Sequence, residues 1–296
     1  FIRKQVCTDW CEIMKKFINK GFTLIELLVV LAIIALLLSI IIPAVKMAKR
    51  KAASAVCLVN AKNLSLSWYT YAGANDGRIM SSNPNDPPSR GPWVKHPERE
   101  DRTPCGETAS YPPVTDDDEK RGIEKGMMYQ YGVDSYDTYH CPGATAHKSK
   151  FDGTTIFRSY SIPTCLGNKI RKFHEINSPS LRYNFVEEGD GRNFNVGSWD
   201  FYTPSDNPNR PEYYWRDPIS INHGNSGILG FCDGHAEVRV WMDSDTKARL
   251  NFYYQRPDIV SYGYTPGCLS YEFEILRTIG QINDTEYMGR GWAYRK

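Results

Sequence analysis

The sequence predicts an α+β protein: one long N-terminal helix packed on an antiparallel β-sheet domain with large loops. Three observations predict it. Residues 22–42 form an apolar run with Glu26 as its one charge. A helical pattern then continues to Ala74 and meets a stop at Asn75-Asp76-Gly77. From Arg158 onward short strand-like runs dominate, two of them joined by Asp233-Gly234. The 296 residues carry 36 basic and 34 acidic side chains, so no basic field for nucleic acid is expected. A polar, aromatic-rich remainder with 23 Gly and 18 Pro excludes a polytopic membrane protein, a coiled coil and a wholly disordered chain.

The apolar run comes first. At about 1.5 Å per residue its helix would span roughly 30 Å, the thickness of one bilayer core. It has no polar face, so it belongs in lipid or among other apolar helices. Before it stand Arg3, Lys4, Lys15, Lys16 and Lys20 against Asp9 and Glu12. The positive-inside tendency keeps residues 1–21 in the cytoplasm and sends the rest outward. A secretory signal peptide would have a shorter core and a small-residue cleavage site after it.

Beyond Pro43, residues 43–75 read as the amphipathic half of the same helix. Val45, Ala48, Ala52, Ala55, Val59, Leu66 and Tyr69 recur near helical spacing, and Ala48, Ala52, Ala53 and Ala55 suggest a face that a sheet can approach. Residues 76–296 are expected to form the globular, β-rich domain. Its first part, 76–126, reads as loop, including the acidic run Asp116-Asp117-Asp118-Glu119, and residues 127–131 as a short helix. Strands are expected at 158–162, 181–186, 227–232 and 235–240. Asp233-Gly234 between the last two predicts a hairpin in which both turn positions favour positive φ.

There are eight cysteines. Cys7 and Cys11 lie in the basic leader. Cys57, Cys105, Cys141, Cys165, Cys232 and Cys268 would face an oxidising compartment, where disulfides are expected. Sequence leaves the connectivity open. The pairing of Cys57 with Cys141 is the one expected to tie the helix to the globular domain.

Lys20-Gly21-Phe22-Thr23-Leu24-Ile25-Glu26 closely resembles the processing site of type IV prepilins. The resemblance implies cleavage between Gly21 and Phe22 by the prepilin peptidase and N-methylation of Phe22. It makes Glu26 the fifth residue of the mature chain, where it sets register between packed helices, and Pro43 the helix-kinking proline. A carboxylate one turn into a lipid-buried helix is costly and calls for a partner, such as a neighbour's N-terminal ammonium. Removing residues 1–21 leaves 31 basic and 32 acidic side chains.

His223, nine residues, then Asp233-Gly234 resembles the H-x9-D-G domain associated with prepilin processing; Cys57-x2-Asn60, Cys141-Pro142 and the strand ending at Glu187 resemble other parts of the same proteins. The favoured role for His223, Asp233 and Gly234 is structural, with His223 clamping the hairpin. A metal or acid/base site on His223, Asp233 and His235 is the weaker reading. Glu187 and Asp190, in an oxygen-rich stretch read as an exposed loop, are the candidates for Ca²⁺, but no EF-hand spacing supports them and no cofactor is expected.

Taken together, the resemblance implies a pilin-like structural subunit, not an enzyme. It would wait in the inner membrane as a single-pass protein with its C-terminal domain in the periplasm. It would then join a helical homo-oligomer at the cell surface or in an extracellular filament. Its partners would be copies of itself, the prepilin peptidase, a pilus or secretion assembly platform and the membrane, with no nucleic acid. The alternatives are a type II secretion pseudopilin and a membrane-anchored ligand- or metal-binding module that does not polymerise.

Overall fold

The computed structural model describes residues 22–105, 113–144, 156–189, 194–199, 201–202, 214–215, 217 and 219–241. The expectations placed on residues 1–21, Asp190 and Cys268 lie outside these. The chain divides into two compact units, Phe1–Lys49 and Arg50–Lys296.

Helix α1, Leu24–Ala74, contributes to both units and runs unbroken through Pro43. Proline has no N–H to give to the carbonyl four residues back, here Ser39, so one rung of the ladder is missing at that point. Thr23 and Glu26 start the helix: Thr23 N–H donates to Glu26 Oε2 at 2.9 Å, and Glu26 N–H donates to Thr23 Oγ1 at 3.3 Å. This reciprocal arrangement is a capping box. In the first unit the apolar side chains of 24–42 are exposed throughout, Leu24 at 85% and Val30 at 43%. The helix is long and apolar enough to cross a membrane.

In the second unit α1 buries Cys57, Asn60, Ala61, Leu64, Ser65, Trp68, Tyr71 and Ala72. This is a helical stripe, but not the one expected. Val59, Leu66 and Tyr69 are exposed, as are Val45, Ala48, Ala52 and Ala55. The buried face carries two polar residues because the domain supplies their partners. Asn60 Nδ2 donates to the carbonyls of Asp137 and His140, and Ser65 Oγ donates to Asn184 Oδ1. The helix ends as predicted: Asp76 and Gly77 adopt φ of 53° and 74°, and Gly77 N–H returns to Ala72 O.

Residues 76–126 are less loop-like than expected. Helix α2, Asp116–Glu124, begins at Thr115, whose side chain accepts from Asp118 N–H while Asp118 accepts from Thr115 N–H. The acidic run is therefore a helix start, stabilised by the positive end of the helix dipole. Glu119 in this helix is buried. It accepts from Phe157 N–H at 2.8 Å and pairs with buried Arg158 at 3.3 Å. Helix α3, Met127–Gln130, matches the expected short helix.

The sheet has five strands: β1 Tyr160–Pro163, β2 Tyr183–Glu187, β3 Ser198–Trp199, β6 Ser226–Phe231 and β7 Ala236–Val240, in the order β3-β1-β2-β6-β7. β4, Phe201–Tyr202, and β5, Tyr214–Trp215, form a separate pair. The main sheet is mixed rather than wholly antiparallel, because β1 and β3 run parallel. The α+β class stands. α1 lies against β6, where a Cβ placed on Gly230 would meet Ser65 Oγ at 2.0 Å. The small residues that admit the sheet are thus Ala61, Ser65 and Gly230, not the alanines at 48–55. Around this contact the core gathers Trp68, Trp93, Trp199, Trp241, Tyr160 and Phe185.

The β6–β7 hairpin is present, with a different turn from the one expected. Phe231 N–H donates to His235 O, Gly234 N–H donates to Phe231 O, and positive φ within the turn falls on Gly234 alone, at 93°. A wider turn with a left-handed glycine, rather than a two-residue turn with both centres left-handed, carries the chain round. Asp233 Oδ1 accepts from His235 N–H at 3.2 Å, and the φ of Asp233 is not positive.

Candidate functional site

Two places on the chain concentrate functional chemistry. The first is the start of α1. Glu26 is solvent-exposed, and its carboxylate accepts from both the N–H and the hydroxyl of Thr23, at 2.9 and 2.8 Å. It is the one charge in an otherwise apolar rod, and within a single chain its partner is the residue that caps its own helix.

The second place lies wholly within the domain unit. Cys57 comes from the middle of α1. Cys141 follows a short 3₁₀ turn, Tyr136–Tyr139. Glu187 ends β2, and His223 sits in the turn that leads into β6. All four side chains are buried, and one ligand atom from each lies within 4.8 Å of every other. The Sγ atoms of Cys57 and Cys141, 84 residues apart in sequence, are 3.0 Å apart as free thiols. His223 Nε2 lies 3.5 Å from Cys141 Sγ and 3.2 Å from Glu187 Oε1.

The surrounding groups hold this arrangement in place. Asn222 Nδ2 donates to Glu187 Oε1 at 3.0 Å, and Ile228 N–H reaches Glu187 Oε2 at 3.3 Å. Gly143 N–H donates to Cys141 Sγ at 3.3 Å. Gly143 also leaves room for the imidazole, since a Cβ there would stand 3.1 Å from His223 Cε1. Tyr160 OH donates to Cys57 O at 3.3 Å.

The electrostatics follow from these contacts. The hydrogen bond shared with Cys141 holds the Cys57 thiol down at about 6, helped against burial by His223. Burial pushes Cys141 far up, and the bond to Cys57 adds to this. Burial works against a charged His223, yet its bonds to Cys57 and Glu187 raise it to about 10. Burial would raise Glu187, but the contact with His223 outweighs it and the carboxyl is lowered. These directions favour the anionic forms of Cys57 and Glu187, the neutral thiol of Cys141 and the cationic form of His223. With all four groups buried, the cluster suits holding a cation or joining two sulfurs better than attacking an incoming substrate.

The predicted residues divide accordingly. Cys57 and Cys141 come together, but as free thiols 3.0 Å apart rather than as the expected disulfide. His223 does not clamp the hairpin turn, because Asp233 and Gly234 stand at the other end of β6, about 20 Å away at the usual strand rise. The carboxylate that His223 meets is Glu187. Asp233 instead orders its own turn. Glu187 is not in an exposed loop: both it and Glu188 are buried in the sheet region, and two sulfurs beside Glu187 make a poor setting for Ca²⁺, which prefers oxygen ligands. Cys105, Cys165 and Cys232 are thiols elsewhere in the domain. Asn222 and Gly143 carry no motif of their own; their one signal in the sequence is their place beside His223 and Cys141-Pro142.

No curated protein and no solved structure matches the chain. Residues 17–42 match the family model of the prokaryotic N-terminal methylation motif. That match spans the predicted cut, Glu26 and the apolar run, so the chain carries the N-terminal signal of a prepilin-like substrate on a membrane-anchoring helix.

Proposed function

We propose that this chain is a structural subunit, cut between Gly21 and Phe22, N-methylated on Phe22 and assembled through residues 22–42 into a type IV pilus-like filament. The observation that carries the reading is the coincidence of the methylation motif with a helix whose apolar side chains find no cover in their own unit. Exposing so many large apolar groups to water is untenable, so the rod sits in lipid before assembly and among its copies afterwards. The domain beyond residue 49 then lies on the periplasmic side and travels outward with the filament.

Glu26 governs the transfer. In a lone subunit Thr23 satisfies it. In the filament the ammonium of a neighbour's Phe22 offers an opposite charge and rewards a single axial offset. Glu26→Gln keeps the cap acceptor and removes the charge. Membrane insertion should persist while filaments sheared from cells disappear. Mass spectrometry of native material should find a methylated Phe22 as the first residue. Retention of residues 1–21, or normal filaments from Glu26→Gln cells, would overturn the reading. Short periplasmic assemblies tied to protein export, in place of surface fibres, would assign the chain to a secretion pseudopilus.

A further inference from the structure

We propose that Cys57, Cys141, Glu187 and His223 form a closed, tetrahedral zinc site that staples the long helix to the sheet. The donor set comes first. Two thiolates, an imidazole and a carboxylate are ligands that zinc accepts together, and four protein ligands with no open position mark a structural rather than a catalytic site.

The spacing agrees. Zinc bonds of about 2.3 Å to sulfur and about 2.0 Å to nitrogen and oxygen put tetrahedral edges near 3.5 Å for sulfur to nitrogen and near 3.3 Å for nitrogen to oxygen. His223 Nε2 stands 3.5 Å from Cys141 Sγ and 3.2 Å from Glu187 Oε1. The sulfur–sulfur edge, 3.0 Å, has to open to about 3.8 Å, a shift that rotation of one cysteine side chain supplies.

The outer shell fits at Cys141 and Glu187, while His223 Nδ1 is buried with no hydrogen-bond partner among the described residues. Gly143 N–H points at Cys141 Sγ, which stabilises a thiolate. Asn222 and the backbone N–H of Ile228 fix the two oxygens of Glu187, so one oxygen can face the ion while the other keeps its bond. A disulfide between Cys57 and Cys141 would use two of the four groups. It would leave a buried carboxylate, a buried imidazole and a donor aimed at sulfur without a common purpose. The four ligands come from α1, the segment after the 3₁₀ turn, the end of β2 and the turn before β6. One ion would thus join four distant stretches of chain.

The test uses the full chain, purified in detergent without chelators or reductants. Metal analysis should find about one zinc per chain. Replacement by cobalt should give the visible bands of a tetrahedral ion and an ultraviolet thiolate-to-cobalt transition. Cys57→Ser and His223→Ala should each lower zinc retention against a chelator at least about tenfold, while Cys105→Ser should not. Because those variants could fail to fold, His223→Cys provides a check: it keeps four ligands, retains the metal and strengthens the thiolate-to-cobalt band. Three results would overturn the proposal. One is metal-free protein with Cys57 and Cys141 cross-linked in peptide maps. Another is metal-free protein with both thiols free. The third is bound zinc indifferent to Cys57, Cys141, Glu187 and His223.

Discussion

Replacing Gly230 with alanine asks whether α1 lies against β6 as closely as described. An added Cβ would come within 2.0 Å of Ser65 Oγ, with Ala61 O at 3.2 Å and Asn184 Oδ1 at 3.3 Å. Ser65 Oγ must move by more than 1 Å, at least roughly, to restore an ordinary contact. It then loses its 2.8 Å bond to Asn184, about 1 kcal/mol, and the crowded helix–sheet contact adds about 1–3 kcal/mol of overpacking. The total, about 2–4 kcal/mol, should lower the melting temperature of the domain by roughly 5–15 °C. Ser65→Ala alone should cost about 1 kcal/mol. In the double variant the 2.0 Å contact no longer exists, so its loss should fall short of the sum of the singles by at least about 1 kcal/mol. Near-ultraviolet circular dichroism of the buried tryptophans, followed on heating the detergent-solubilised chain, reads all four proteins. Strict additivity, or a silent Gly230→Ala, would refute the packing.

Two further outcomes follow from the same contacts. Asn60→Ala strips the carbonyls of Asp137 and His140 of their shared donor, and should cost about 1–3 kcal/mol in the same melting assay. Asp118 gives an acid-limb test. Burial raises its carboxyl, but bonds to Thr115 and Arg121 outweigh this and lower it below 3.8. Its contribution is therefore complete above that value and lost as pH falls through the lower, folded-state value. Asp118→Asn should cost about 1 kcal/mol near neutrality and make stability less sensitive to pH on the acid side, measured by melting across a pH series.

Local signals were legible where chain geometry alone decides. The apolar run, the stop at Asp76-Gly77 and the alternating strands on either side of Asp233-Gly234 depend on neighbours within a few residues. The buried face of α1 was harder to see. Asn60 and Ser65 look like solvent positions until the sheet and the segment around Asp137 supply their partners, whereas Val59 and Leu66 look like core and stay outside. The acidic run at 116–119 read as a solvated loop, although Thr115 with Asp118 three residues on is a helix-start signal. The site was half visible. The sequence points to Cys57 with Cys141 and to His223. Yet the partner of His223 is set by β2 pairing with β6, past a register shift between Tyr183 and Phe185, which brings Glu187 beside it. Sequence proximity favoured Asp233 instead, although a six-residue strand holds the two apart.

The capping box at Thr23 and Glu26 has a consequence for the life of the rod. The instruction to begin coiling is written on the downstream side of the proposed scissile bond. A cut after Gly21 would leave this start intact on the downstream product. The peptidase would then hand on a finished spindle whose acidic side chain already has a lodging. In the proposed filament, that side chain would give it up only when a better-charged neighbour slides alongside.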